Sequence, residues 1–268
     1  MNMRKGRPFL EILSSSLRGD YKFPILEFLT FLFLLSSFVF ASFGGFGSTE
    51  ASEKYFVFHM ANSLTGLPLF ILVMLLLRNV ASGIGNDLEK GTIQTILAYP
   101  LKRRSILTAR LISAFVVAIA LFLVIQISAL FILANEMVAR NLTVVFLSYA
   151  ANISTALFTA SITLLMTLLL RRGSLGIVVG IMFYFMFGIL ASLVSFVAQA
   201  MNSVLPLQIY SVISPIMGID FYYGSMEFEH SFWSPSFSEA LVYMGGAYAI
   251  TASLLLLSYF YFCRRLNL

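Results

Sequence analysis

The sequence is short of charge. Only 11% of its 268 residues are Asp, Glu, Lys or Arg, while 59% are hydrophobic; a soluble domain carries about 25% charged residues. A chain of this size cannot hide that much apolar surface in one core and still clothe itself in polar groups, which excludes a water-soluble enzyme. Cysteine is scarcer still. The single Cys263 rules out an intramolecular disulfide and a cysteine-based metal cluster. Two histidines, His59 and His230, leave little for a metal site, and no metal or cofactor is expected in the chain. A phosphate loop is missing as well: none of Lys5, Lys22, Lys54, Lys90 and Lys102 follows a glycine or precedes Ser or Thr. With no GxSxG elbow and no obvious carboxylate pair either, the chain is not expected to be an enzyme.

What is present is a series of long apolar runs. Crossing about 30 Å of hydrocarbon takes roughly 20 residues, and segments 24–44, 60–78, 108–134, 145–170, 174–198 and 240–262 meet that requirement. They predict an all-α membrane protein of six transmembrane helices in a single domain, 1–268. Basic residues then set the orientation. Of seventeen Lys and Arg, all but Lys54 and Arg140 fall on one side, which predicts a multi-pass protein of the cell membrane with both termini cytoplasmic. The net charge of +5 therefore marks an address and not a nucleic-acid surface.

The flanking regions have their own patterns. Residues 1–23 carry Phe9, Leu10, Leu13 and Leu17 at helical spacing among Arg4, Lys5, Arg7 and Arg18. This reads as an amphipathic helix lying on the cytoplasmic leaflet, with a disordered basic tail as the alternative. The external region 199–239 contains no Lys or Arg. Within it, 203–221 is apolar but broken by Pro206, Pro215 and Gly218, and a seventh crossing would reverse the carboxyl terminus. It is expected to be re-entrant and to pack against helix ends between the fifth and sixth helices. Phe221, Tyr222, Tyr223, Phe232 and Trp233 are expected at the lipid headgroups.

The cytoplasmic loop 79–107 is the informative one. Asn86 followed by Glu89 resembles a helix cap with a reciprocal partner. Leu88, Ile93, Ile96 and Leu97 make an apolar face; Asp87, Glu89, Lys90 and Gln94 make a polar one; Pro100 ends the helix. By pattern alone this is a short amphipathic helix held at the membrane surface.

The exact residues say more. The string EKGTIQTILAYPLKR, Glu89 to Arg103, resembles the E-x-G-T-[LI]-x-x-[LI]-L-x-x-P-[LIV] segment of type-2 ABC transporter permeases, membrane subunits of ATP-binding cassette exporters. Gln94 and Lys102 depart from it, where acidic and hydroxyl residues are common. The resemblance implies that this cytoplasmic coupling helix docks on a separate ABC ATPase subunit that binds the ATP and Mg. It also implies pairing with a second permease copy or a homologous permease. Glu89, Gly91, Thr92 and Pro100 carry over by position, with Ile93, Ile96 and Leu97 as apolar contacts. The expected function is the permease of an ATP-driven exporter; a membrane scaffold that docks an ATPase without moving a substrate is the alternative.

Two further groups stand out within the spans. Glu27, Arg78 and Arg110 lie at similar depth near the cytoplasmic ends of the first three helices, and an unpaired ion in hydrocarbon costs a few kcal/mol. Glu27 is therefore expected to pair with one of the arginines, unless each reaches the headgroups. Gly176, Gly180 and Gly188 recur at four- and eight-residue intervals on the fifth helix and mark a close helix contact, either within the chain or at a dimer interface.

Overall fold

Backbone amides in hydrocarbon must be satisfied within the chain, and this sequence does so with helices. The computed structural model describes residues 8–22, 24–43, 52–91, 103–225 and 232–264. Among them there is no strand. The helices are α1 (Pro8–Asp20), α2 (Ile25–Phe43), α3 (Glu53–Val80), α4 (Asn86–Glu89), α5 (Arg103–Arg140), α6 (Leu142–Leu170), α7 (Gly173–Ala200), α8 (Leu205–Ser211), α9 (Pro215–Ser225) and α10 (Phe237–Arg264). A π-helical turn, Ala81–Gly85, joins α3 to α4 without a break. The coupling positions Thr92, Ile93, Ile96, Leu97 and Pro100 lie outside the described residues.

Five helices are each long and apolar enough to cross a bilayer: α3 with its extension, α5, α6, α7 and α10. α1 and α2, bent by 60° at a short break, pass the same test only as a pair, which would make six if the pair is one span. The helix bounds run past the predicted spans at most ends, because the polar flanks remain helical beyond the hydrocarbon. In α5 the helix is interrupted at Ala134 (φ −150°, ψ 55°), where the predicted span ends.

The centre of the bundle is α6. Its buried residues are mostly small: Ala151, Ala156 and Ala160 alternate with Ser148, Ser154, Thr159 and Thr163. Small side chains let neighbouring backbones approach, and α3, α7 and α10 all pack extensively on this helix. Several of its hydroxyls bond within the helix itself, while those of Ser148, Thr155 and Thr167 are buried without a partner among the described residues. The hydroxyls of Ser154, Thr159 and Thr163 donate to carbonyls three or four residues earlier, at 2.7–2.9 Å. By contrast α7 turns most of its surface outward, with Val178, Met182, Phe185 and Ile189 all more than half exposed.

The few polar side chains inside the bundle tie helices together. Gln126 on α5 donates to Ser37 on α2 at 2.8 Å, and Tyr149 on α6 donates to the Gln126 carbonyl at 3.3 Å. Asn152 on α6 donates to Asn62 on α3 at 3.3 Å. Both amides bond between helices; Gln199, at the exposed end of α7, does not sit in the bundle.

At the end away from the basic residues, 203–221 folds as α8 and the first part of α9, packed against α7, α10, α6 and α3. Its prolines sit where they cost no helical bond, Pro206 at the start of α8 and Pro215 at the start of α9. The aromatic cluster departs from expectation. Trp233 and Tyr223 are buried inside the protein. Trp233 lies between Phe221 and Tyr243, with ring centroids 5.3 and 5.8 Å away, and Tyr223 stacks on Phe58 at 5.0 Å. These rings form a core under α8 and α9 because two short helices offer a concave apolar surface, and aromatic area is best spent there. Beside this cluster, burial pushes the Asp220 carboxyl above its usual value and His59 draws it back.

Candidate functional site

The extension of α3 is the part of the fold that leads into the family-like motif. Sequence spacing suggests a fresh helix capped by Asn86. Instead the helix of α3 continues through the π-turn, and no side-chain cap bond forms at the start of α4. A helix that never breaks has no orphan amides to cap. The π-turn, ASGIG, carries two glycines that let its backbone approach its neighbours, and such turns recur at functional sites.

The contact they permit is with the start of α7. A methyl group at Gly85 would collide with the backbone of Gly173, and one at Gly173 would lie 2.7 Å from the Ala81 carbonyl oxygen. Only glycine on both sides allows this approach. Ile84, next to Gly85, turns instead into an apolar cluster with Val80, Leu107, Leu164, Leu168 and Phe262. That cluster brings α3, α5, α6 and α10 together directly under the extension.

Two groups then hold α4. The Asp87 carboxylate pairs with the Arg110 guanidinium on α5, and Arg110 also donates to the Gly83 carbonyl in the π-turn. Arg110 thus bonds both to the turn and to the helix that follows. The carboxylate partner of Arg110 is Asp87 and not the predicted Glu27, which sits on an exposed face of α2. The reason is geometric: the unbroken extension carries Asp87 back against α5, whereas Glu27 lies near the start of α2 and points away from the bundle. Asp87 comes from the loop and was not among the expected intramembrane charges. Its legible signal was an acidic residue one turn after the glycine pair.

Past the clamp, Glu89 and Lys90 are exposed and the helix ends at Gly91. Gly91 has φ +69°, and its amide donates to the Leu88 carbonyl at 3.3 Å. This is the left-handed glycine that terminates helices and turns the chain away. No described atom lies within 4 Å of the position a methyl would take there, and the backbone angle itself favours glycine. The carried-over Glu89 and Gly91 therefore stand at the exit from the clamp.

On the other side, α1 lies against α5. Asp20 accepts a hydrogen bond from the Ser113 hydroxyl at 2.5 Å, and the Tyr21 hydroxyl reaches the Ser113 carbonyl at 3.2 Å. Leu13 and Leu17 of the predicted apolar face are half-buried, while Leu10 remains 46% exposed. Between α1, the α3 extension and α5 remains a cavity of about 390 Å³, lined among others by Asp20, Arg78, Asp87, Lys90 and Arg110. Arg78 and Arg110 thus share one polar space at the basic end.

The predicted glycine stripe on α7 divides. At Gly176 an added methyl would strike Thr167, and at Gly180 it would strike Thr163 and come within 2.8 Å of Leu77. These two seat α7 against α6 and α3 of the same chain. Gly188 has nothing among the described residues within 4 Å of the position a methyl would take.

Among the described residues no group of three or more acidic, histidine or cysteine side chains is arranged to hold a metal. The arrangement is a helical extension clamped near its end and seated on a core shared by four helices. No curated protein matches the chain. Residues 69–265 do match a family, described as ABC-2 family transporter protein. The matched stretch begins within α3 and runs past the end of α10, taking in the π-turn, the clamp and the core beneath them. The chain therefore belongs to the ABC-2 transporter family and is a multi-pass membrane permease subunit of an ABC transporter.

Proposed function

We propose that this chain is the permease of an ATP-driven exporter, worked by a separate cytoplasmic ATPase that docks on the segment following α4. The observation that carries this reading is the clamp: Arg110 holds Asp87 and the Gly83 carbonyl, so a force applied beyond Gly91 acts on α3 and α5 at once. Ile84 passes the same displacement to the cluster containing Leu168 and Phe262, and so to α6 and α10. A ligand shifts an equilibrium between conformations only by binding them unequally. ATP and Mg on the partner supply that inequality; the permease converts it into rocking of its helices.

In this reading both termini face the cytoplasm, following the basic residues, and α1 rests on the inner leaflet. Thr92, Ile93, Ile96, Leu97 and Pro100 form the docking surface, with Glu89 and Gly91 at its root. A second permease, identical or homologous, completes the path, and the outward apolar face of α7 is available to it or to lipid.

The test is co-purification and vesicle transport. The chain, coexpressed with the ATPase encoded beside it, is expected to retain that ATPase through affinity purification, and Glu89→Lys is expected to release it. Loss of retention in the parent protein, or its persistence in Glu89→Lys and Gly91→Pro alike, removes the docking role. Retention without ATP-dependent solute flux in reconstituted vesicles favours a scaffold.

A further inference from the structure

Between α5 and α10 lies an apolar groove of about 360 Å³. Its floor is Leu111, Phe115, Leu255 and Tyr259, which pack on the same buried cluster that seats Ile84. Val116 and Leu256, which also line it, are more than half exposed. Both helices are long and apolar enough to cross a bilayer, so the groove opens toward hydrocarbon. Its apolar lining alone would accept any lipid chain; the end of the groove narrows the choice.

Both walls run into an arginine at that end. On α5, Arg104 stands four and eight residues before the lining residues Thr108 and Ile112, on the same helix face. On α10, Arg264 stands eight residues after the lining residue Leu256, with Phe260 midway between them. Leu107 and Phe262 share one buried cluster, which sets the two arginines at the same end of the bundle. The Arg264 guanidinium rests over the Phe260 ring, 4.8 Å from its centroid. From α5, Arg103 and Arg104 lie close enough to Cys263 for their charges to act on its thiol. Arg104 and Arg264 are both exposed, hence open to a ligand. Neither helix offsets them, because its carboxylate, Glu136 on α5 and Glu239 on α10, stands at the opposite end.

An apolar groove that ends in uncompensated positive charge fits an amphiphile with a negative head. In the membrane placement proposed above, on which this inference rests, that end lies in the inner headgroup layer, where anionic lipid is concentrated. We propose that the groove binds an anionic phospholipid, one acyl chain lying along α5 and α10 and the phosphate accepting from Arg104 and Arg264. Guanidinium groups suit this role, since their planar N–H donors match phosphate oxygens. A zwitterionic head brings a cation of its own to the two arginines and gains less. The chain in the groove then packs on the cluster beneath the π-turn, so the lipid becomes part of the seat of the α3 extension.

The test uses the full chain in detergent, with native mass spectrometry reading retained lipid. Phosphatidylglycerol and phosphatidylcholine of identical acyl chains are offered separately. The anionic lipid is expected to be retained about thirtyfold better, the worth of two basic groups at a lipid surface. The double variant Arg104→Gln, Arg264→Gln is expected to lose most of that preference. Lys22→Gln, Arg172→Gln removes the same charge from exposed positions outside the groove and is expected to keep it. Val116→Trp fills the groove, leaves the arginines in place and is expected to lower phosphatidylglycerol retention several-fold. Melting temperatures report that each variant is folded. Equal retention of the two lipids by the parent protein overturns the proposal. So does an equal loss of preference in the two double variants, which assigns it to the basic surface at large, or undiminished retention in folded Val116→Trp. A second copy seated in the groove would make the parent a lipid-free dimer that Val116→Trp dissociates, and this outcome also overturns the proposal. The readout needs neither ATP nor an ATPase, so its failure is distinct from failure of ATPase docking.

Discussion

Asp87 and Arg110 join the last turn of the α3 extension to α5, each with about a quarter of its side chain exposed. Because Arg110 also bonds to the Gly83 carbonyl, the two partners are not equivalent. Arg110→Leu removes both contacts and leaves a carboxylate in the cavity; Asp87→Asn keeps a polar partner for the guanidinium. The expected losses of stability are about 1–3 kcal/mol for Arg110→Leu and about 1 kcal/mol or less for Asp87→Asn, between the values for exposed and fully buried pairs. Chemical unfolding in detergent measures them, and equal losses contradict the asymmetry.

The stripe on α7 predicts a graded response. Gly180→Val forces a side chain into Thr163 and Leu77, and Gly176→Val into Thr167, whereas Gly188→Val enters open space. The first two are expected to cost about 1–3 kcal/mol each, as overpacking does. Gly188→Val is expected to stay within about 0.5 kcal/mol, the range of unconstrained surface positions. Thermal melting of the three variants decides the matter; a large loss at Gly188 would instead point to a partner on that face.

Gly91 offers a test of backbone geometry separate from side-chain contact. Its left-handed φ costs an alanine about 1–2 kcal/mol, while asparagine adopts it readily. Gly91→Ala is expected to lower ATP hydrolysis coupled to transport, and Gly91→Asn to restore most of it. If both behave alike, the turn is not what the coupling segment needs.

At the opposite end, Ser236 and Glu239 form a reciprocal cap on α10. The Ser236 amide donates to the Glu239 carboxylate at 2.6 Å, and the Glu239 amide donates to the Ser236 hydroxyl at 3.3 Å. The backbone amide and then the hydroxyl of Ser236 hold the Glu239 carboxyl below its usual range. A carboxyl depressed in the folded state contributes stability above its unfolded pKa and loses it as pH falls through the folded one. Glu239→Gln is therefore expected to melt slightly below the parent at neutral pH, and the gap is expected to close in acid. A gap independent of pH would assign the effect to something other than the charge.

Several features were legible because they depend only on composition and spacing. Apolar runs of about 20 residues have one stable form in lipid, so five of the predicted spans coincide with helices that qualify individually, and α2 qualifies jointly with α1. The motif singled out Gly91 for a coupling role; its positive φ is a separate property that only the structure supplies. The Asn86 cap and the pairing of Arg110 with Asp87 in place of Glu27 did not follow. A capping pattern is read from four residues, but whether amides need a cap depends on the turn before them, and here a π-turn kept them bonded. The partner of an ion is chosen by distance in space, and only the continuation of α3 brought Asp87 to Arg110.

By itself, the sequence determined the solvent, the helical class and the family, because scarce charge, long apolar runs and a short motif are local and additive properties. Only the tertiary structure decided which groups meet. It turned Trp233 from a headgroup anchor into core, split the glycine stripe into two packed positions and one open one, and buried Asn79 Oδ1 without a partner among the described residues. Contacts between helices depend on rotation and depth, to which a pattern repeating every few residues is nearly blind; the close approach of Gly85 to Gly173, far apart in the chain, is where that information resides.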